Sequence, residues 1–326
     1  MKAVVYYNYG PPDVLRCEEV DKPVPGADEV LLKVRAASVN PLDGHLMKGP
    51  PYLGRLLSGL GVAKRTQPGI DVAGIVEAVG GKVKRFQPGE AVFGTCRGAF
   101  ADFVCSPESK LTVKPDSVTF EEAASAPIAA FTALQGLRDK GRIEPGQSVL
   151  INGASGGVGT FAVQIAKWFG AAVTGVCSSR NVEMVRSLGA DRVIDYTGED
   201  FTKGRQRYDL ILDLVANHPL LACRRVLNGK GRYVLGGGLG GRLTGFLSFA
   251  AKALLVGPLV SQKFTVFIAR SRQEDLKIVA QLLATGKVRP VLDPRRGWGA
   301  VPDAVRHVQQ GHARGKVVIC PDAGEA

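Results

Sequence analysis

The chain has 326 residues, 45% of them hydrophobic and 22% charged, a length that favours two domains over a single core. Its 41 glycines show no three-residue period, which excludes a fibrous chain. The 42 basic against 30 acidic residues give a formal net charge of +12; they are dispersed rather than interleaved with aromatics, which argues against nucleic acid and for an anionic cofactor.

In chain order, MKAVVYYNYG alternates like a first strand and has no apolar run ahead of a small-residue cleavage site, so no export signal is expected. Residues 30–39, 70–79, 91–94, 99–104 and 110–113 read as short strands fenced by Pro and Gly, predicting a β-rich domain. The character changes near residue 120, where 121–137 carries Ala and Leu at helical spacing, broken at Pro127. Strands at 148–152, 172–177, 192–194, 209–215 and 231–235 then alternate with helices at 158–169 and 182–188. Near-continuous apolar strands between helices predict a parallel sheet covered on both faces. A helix at 273–285 and a strand at 316–320 close the chain. Having no sheet of its own, this last part is expected to fold back onto the first domain. The apolar stretch 245–260 is too short and too interrupted to span a membrane. Six scattered cysteines without C-x-x-C read as free thiols in a reducing, cytoplasmic compartment.

Between the strand at 148–152 and the helix at 158–169 stands GASGGVG, which supplies Gly153, Gly156, Gly157 and Gly159. A tight strand-to-helix turn with bare backbone N–H groups at a helix N-terminus suits a pyrophosphate. The βαβ completion at Cys177 makes this a dinucleotide turn rather than a chance glycine string. After that second strand an NAD site usually carries an acid for the ribose hydroxyl. This chain carries Ser178, Ser179, Arg180 and Asn181. A guanidinium and two hydroxyls favour a 2′-phosphate, so NADPH is the expected cofactor. Tyr196 offers a wall or donor beyond the third strand. Gly236, Gly237 and Gly238 follow the strand ending at 235, where a parallel sheet presents ligands, and suit the nicotinamide side.

The four histidines, His45, His218, His307 and His312, form no metal-ligand spacing, and no metal is expected. Without a Lewis acid, an electron-poor acceptor such as a quinone or an enone is the fitting substrate, held by positioning and by hydrogen bonds to the developing oxyanion.

Five stretches taken together resemble the medium-chain dehydrogenase/reductase family, in the zinc-independent quinone oxidoreductase branch that includes zeta-crystallin. They are RAASVNPLDGHLMKG (35–49), PGIDVAGIVEAVG (68–80), GASGGVGTFAVQIAK (153–167), SLGADRVIDY (187–196) and GHARGKVVI (311–319). The loop 55–65 and the segment 245–260 look closer to the chloroplast-envelope and reticulon-interacting reductases. These apolar stretches are expected to cover the mouth of the site, and they leave room for a peripheral membrane contact.

The resemblance implies an α/β chain with a GroES-like catalytic domain at 1–123 plus 266–326. A Rossmann NADPH-binding domain occupies 124–265, with the active site in the cleft and a homodimer as the assembly. It places Asn40 where zinc-dependent members carry a catalytic Cys, and Gly69, Ile70 and Asp71 where they carry Gly-His-Glu. It implies Asn40 and Thr132 as catalytic, with Asp43 and Tyr52 in the substrate loop. For Asn40 a turn before Pro41 competes, and for Asp43 a loop cap. The cofactor set it implies adds Thr132, Ser155, Val158, Val215, Phe267 and Lys316 to the residues named above. The implied activity is NADPH-dependent, metal-free hydride transfer to a quinone or α,β-unsaturated carbonyl. Competing readings are an NADPH-binding RNA-associated or structural protein, a metal-free alcohol dehydrogenase, and an enoyl thioester reductase.

Overall fold

The computed structural model describes residues 1–48, 65–237, 260–311 and 313–321. Tyr52, Gly238, His312 and nearly all of the stretches 55–65 and 245–260 lie outside the described residues. The chain divides into two units, Met1–Ile128 with Ser271–Ala326, and Ala129–Arg270. The joints fall at 128/129 and 270/271, where the resemblance implies 123/124 and 265/266.

The strands in chain order are β1 (Lys2–Val5), β2 (Arg16–Glu19), β3 (Glu29–Ser38), β4 (Asp71–Val79), β5 (Ala91–Thr95), β6 (Phe103–Pro107) and β7 (Leu111–Val113). They continue with β8 (Ser148–Asn152), β9 (Ala172–Cys177), β10 (Arg192–Asp195), β11 (Tyr208–Asp213), β12 (Leu227–Leu235), β13 (Lys263–Val266), β14 (Leu292–Arg296) and β15 (Lys316–Cys320).

In the first unit β1 and β2 form a two-stranded sheet, and a larger sheet runs β14-β15-β3-β4-β5-β7 with β6 also paired to β3. The last strand of the chain therefore lies inside the sheet, antiparallel to β3 with Ile319 opposite Ala37. Leu32 and Val34 from β3, Val72 and Val76 from β4, and Val317 and Ile319 from β15 meet in one core. Each such side chain contributes roughly 1.5–3 kcal/mol by leaving water. The register of β15 carries Lys316 to the end of β3, beside Val39 and Asn40.

In the second unit six strands run β10-β9-β8-β11-β12-β13, and every pairing is parallel. Numbered from β8, this is the order 3-2-1-4-5-6 of a doubly wound dinucleotide-binding sheet. The order reverses between β8 and β11, and ligands bind such sheets outside the strand ends at that point. Asn152 ends β8 and Asp213 ends β11 there, and the Asn152 amide Nδ2 donates to Asp213 Oδ1 at 2.9 Å.

Candidate active site

The glycine turn sits at the switch point of the second unit, and its glycines have different causes. Gly153 has φ +88°, and a Cβ there would meet Val215 Cγ2 at 2.7 Å. A Cβ on Gly159 would lie 2.0 Å from the Gly153 carbonyl oxygen, so the helix Gly157–Trp168 can press onto the turn only as glycine. At Gly156 the nearest atom to a Cβ is 3.5 Å away, an ordinary contact. Packing therefore requires Gly153 and Gly159, whereas at Gly156 it would tolerate a Cβ.

The available donors are also narrower than the sequence suggests. The Gly153 and Ala154 N–H groups both bond to Val176 O, and the Gly156 N–H to Gly153 O. The first helical bond is Thr160 N–H to Gly156 O at 3.0 Å. The N–H groups of Gly157, Val158 and Gly159 lie before it and have no intrahelical acceptor, at the positive end of the helix dipole. These three, with the Ser155 hydroxyl beside them, are the groups that fit a pyrophosphate.

Beyond β9, the turn Ser179–Asn181 holds Arg180 exposed to solvent. Asn181, only 4% exposed, reaches from this turn to both Ser155 Oγ and Ser178 Oγ at 3.2 Å. Ser179 Oγ and Thr197 Oγ1 are 3.0 Å apart, and the Thr197 hydroxyl donates to Asp195 Oδ1 at 2.8 Å. Hydrogen bonds from Ser179 and Thr197 hold the Asp195 carboxyl below its ordinary range. Tyr196 is 54% exposed, with its N–H on Cys177 O.

On the other side of the switch point Asp213 gathers the loop after β11. Its Oδ1 accepts the Val215 and Ala216 N–H groups at 2.9 and 2.8 Å, and its Oδ2 accepts the Tyr233 hydroxyl at 2.5 Å. Burial, reinforced by the Asp213 charge, pushes the Tyr233 phenol far up, so it remains a donor. The clamp holds Ala216 at φ +58° and leaves Val215 38% exposed over Gly153. The Gly236 N–H bonds to Asp213 O, and the Phe267 ring lies 3.1 Å from where a Gly236 Cβ would be. This part of the sheet end thus brings together Gly153, Val215, Gly236 and Phe267. Thr132 lies in the helix Pro127–Gln135 and is 7% exposed.

A second cluster belongs to the first unit. Asn40 is the N-cap of the helix Pro41–Met47, with Pro41 in its first turn, where a fixed φ suits a helix start. Its backbone N–H donates to Asp43 Oδ2 at 2.7 Å, so the Asn–Pro pair opens a helix and Asp43 helps to cap it. The side chain of Asn40 turns elsewhere. Its Oδ1 accepts from Lys316 Nζ at 2.7 Å, and its Nδ2 donates to Asp71 Oδ2 at 2.9 Å. Asp71 also accepts from Ser38 Oγ at 3.0 Å, from Lys316 at 3.3 Å and from the Ile128 N–H at 3.1 Å. Lys316 is 3% exposed and its third acceptor is Val39 O, so its ammonium is spent within the protein and acts through Asn40 and Asp71. Among the described residues Asp43 Oδ1 has no hydrogen-bond partner. Burial drives its carboxyl up to about 7; the Asn40 N–H opposes the shift and the Asp71 charge adds to it.

Of the positions that the resemblance matches to a zinc site, Asn40 is an amide, Ile70 offers no donor atom and Asp71 is a carboxylate held by Lys316. A buried ammonium already neutralises Asp71, which removes the electrostatic reason to recruit a cation there. Among the described residues no group of three His, Cys, Asp or Glu could hold a metal ion.

Asn181, Asp213 and Lys316 carry connections that sequence reasoning misses. An Asp ending an apolar strand (LILD, 210–213) is a usable signal, because strand ends face the ligand. For the bond from Asn181 to Ser155 no local pattern exists.

Comparison with known proteins agrees with both units. Residues 26–116 match the family described as alcohol dehydrogenase GroES-like domain, and residues 188–319 match zinc-binding dehydrogenase. The chain is 33% identical to the chloroplastic NADPH-dependent alkenal/one oxidoreductase of Arabidopsis thaliana, over 98% of this chain and 80% of that protein. It is 32% identical to the chloroplast envelope quinone oxidoreductase homolog of the same plant, over 98% of each. The structure of the quinone oxidoreductase from Coxiella burnetii superposes with a TM-score of 0.85 at 27% identity, covering 98% of this chain and 99% of that one. With a GroES-like unit, a Rossmann unit and no metal-holding group among the described residues, the chain belongs to the zinc-independent quinone oxidoreductase branch of the medium-chain dehydrogenases/reductases.

Proposed function

We propose that the protein is an NADPH-dependent, metal-free reductase of quinones and α,β-unsaturated carbonyls. The observation that carries this is the Ser178–Arg180 corner beside the glycine turn, in a chain that has Asn40, Ile70 and Asp71 where the resemblance sets zinc ligands, with Asn40 and Asp71 tied to Lys316. The names of the two Arabidopsis relatives support the same acceptor classes.

NADPH, when bound, supplies the hydride; the residues here bind and orient. Ser155 and the N–H groups of Gly157, Val158 and Gly159 take the pyrophosphate. Ser178 and Arg180 take the 2′-phosphate, with Ser179 and Tyr196 at the edge of that corner. Val215, Gly236, Gly237, Phe267 and Thr132 line the nicotinamide side. Lys316 fixes Asn40 Oδ1 and Asp71 takes one of its amide protons, leaving the second amide proton to donate to a carbonyl oxygen. A quinone or enone is already electron-poor, so one oriented donor suffices where an alcohol or aldehyde would want a Lewis acid.

A homodimer through the edge strand β13 belongs to this proposal, supported by β13 pairing only β12 among the described residues. A cytoplasmic location also belongs to this proposal, supported by the scattered spacing of the six cysteines without C-x-x-C. Sedimentation and cell fractionation test these two points. Among the described residues no helix is long and apolar enough to cross a membrane.

NADPH oxidation assayed with quinones, 2-alkenals, enones and aldehydes, with and without a chelator, tests the activity. Turnover of the conjugated acceptors, unchanged by chelation, is expected; loss on chelation or a preference for simple aldehydes would overturn the proposal. In the same assay Arg180→Ala should raise KM for NADPH about tenfold to hundredfold and leave NADH nearly unchanged, as for one lost charged hydrogen bond. Equal losses would remove Arg180 from the corner.

A further inference from the structure

Asn181 occupies the N-cap of the helix Val182–Ser187, a position where asparagine ordinarily turns its side-chain oxygen onto the first helical N–H groups. It makes no such cap. Its amide nitrogen points away from the helix and is shared between two hydroxyls, Ser155 Oγ in the glycine turn and Ser178 Oγ at the end of β9, each at 3.2 Å. The amide is buried, whereas both serines are part-exposed.

The direction of these bonds decides what the serines can do. An amide nitrogen only donates, so each serine oxygen is an acceptor toward Asn181. Each hydroxyl proton is then free to point outward. Two loops on neighbouring strands thus present oriented O–H donors, set by the two protons of one NH2 group. Ser179 has no such partner: its hydroxyl lies against Thr197 and Asp195.

We propose that Asn181 is a positioning residue for the cofactor, aiming the Ser155 hydroxyl at the pyrophosphate and the Ser178 hydroxyl at the 2′-phosphate with a single amide. The inference rests on the cofactor placement proposed above. It makes the two anion subsites one device, in which loss of the amide frees both hydroxyls at once.

Calorimetric titration of the whole protein with NADPH, NADH and 2′,5′-ADP tests it. Asn181→Ala should raise Kd about 30-fold for NADPH and 2′,5′-ADP and about fivefold for NADH, since two donors serve the first pair and one the last. Ser155→Ala should weaken NADH in the native background and by less than about twofold more once Asn181 is Ala, because a coupled pair is not additive. Full, additive losses would overturn the inference. Asn181→Asp keeps the shape but accepts both hydroxyl protons, so it should lose more affinity than Asn181→Ala; an equal or smaller loss also overturns it. If Ser178→Ala weakens NADPH and NADH alike, the corner assignment falls and the Ser178 half of the inference with it. The Ser155 half is still decided by the NADH cycle. Should the Asn181 variants fail to fold, a structure of the native protein with NADPH decides. Both serine oxygens must then touch phosphate while keeping Asn181, and either one facing away overturns the inference.

Discussion

Asp43 is a buried carboxylate with one oxygen on the Asn40 N–H and the other without a partner among the described residues. Lys316 and Asp71 stand near, with Tyr6 and Cys96 also within electrostatic reach. Its carboxyl, raised by burial from the ordinary value of 3.8 to about 7, makes stability depend on pH. Below about pH 4 the group is protonated in both folded and unfolded chains and costs nothing. As pH rises to 7 the unfolded chain ionises first, so stability falls across that window and the loss is complete above it. A tenfold difference in proton affinity between the folded and unfolded chains is worth about 1.4 kcal/mol, which bounds the loss at a few kcal/mol. Asp43→Asn keeps an acceptor for the Asn40 N–H and removes the ionisation. Its melting temperature relative to the native chain should climb from pH 4 to pH 7 and then level. A difference that stays flat would mean Asp43 ionises normally.

At the scale of elements, the contest is between helix propensity and close approach. Replacing Gly159 by Ala should favour the helix Gly157–Trp168 by about 1 kcal/mol on propensity alone. The new Cβ, however, would stand 2.0 Å from the Gly153 carbonyl oxygen, and backbone cannot swing aside as a side chain can. Overpacking of this kind costs roughly 1–3 kcal/mol, so the contact should win. Gly159→Ala is expected to lower the urea midpoint and weaken NADPH together, since the turn must open to admit it; a stabilised variant would show the turn to be looser. The same contrast explains what is legible in the sequence. Strands β8 and β9 are readable to the residue because central parallel strands are unbroken apolar runs. The helix Pro41–Met47 reads as a turn, since its seven residues include Pro41 and Gly44 and form no apolar stripe. Strand β14 (LDPRR) looks like loop because proline and charges are tolerated where only one neighbour is paired. The glycine turn and the serine–arginine corner are legible as short-range spacings. The bonds from Lys316 to Asn40 and Asp71 span 276 and 245 residues, and no local pattern records such a register.

At the scale of the molecule, the excess of 42 basic over 30 acidic residues forms a field rather than a site. The charges of Asp71, Lys316 and Asp213 are satisfied inside the fold and unavailable to ligands. The net +12 of the whole chain sets the field that an approaching ligand meets. Such a field raises encounter rates with anions, and salt screens it over about 10 Å at 0.1 M ionic strength. NADPH carries one phosphate more than NADH, so its binding should be the more salt-sensitive. Raising ionic strength from about 0.05 to 0.5 M should raise KM for NADPH several-fold and for NADH less, with kcat unchanged. If the two cofactors respond with the same slope, the positive charge does not reach the 2′-phosphate, and selectivity rests on Ser178 and Arg180 alone. Steeper dependence for NADPH that survives Arg180→Ala would instead assign that part of the attraction to the whole surface.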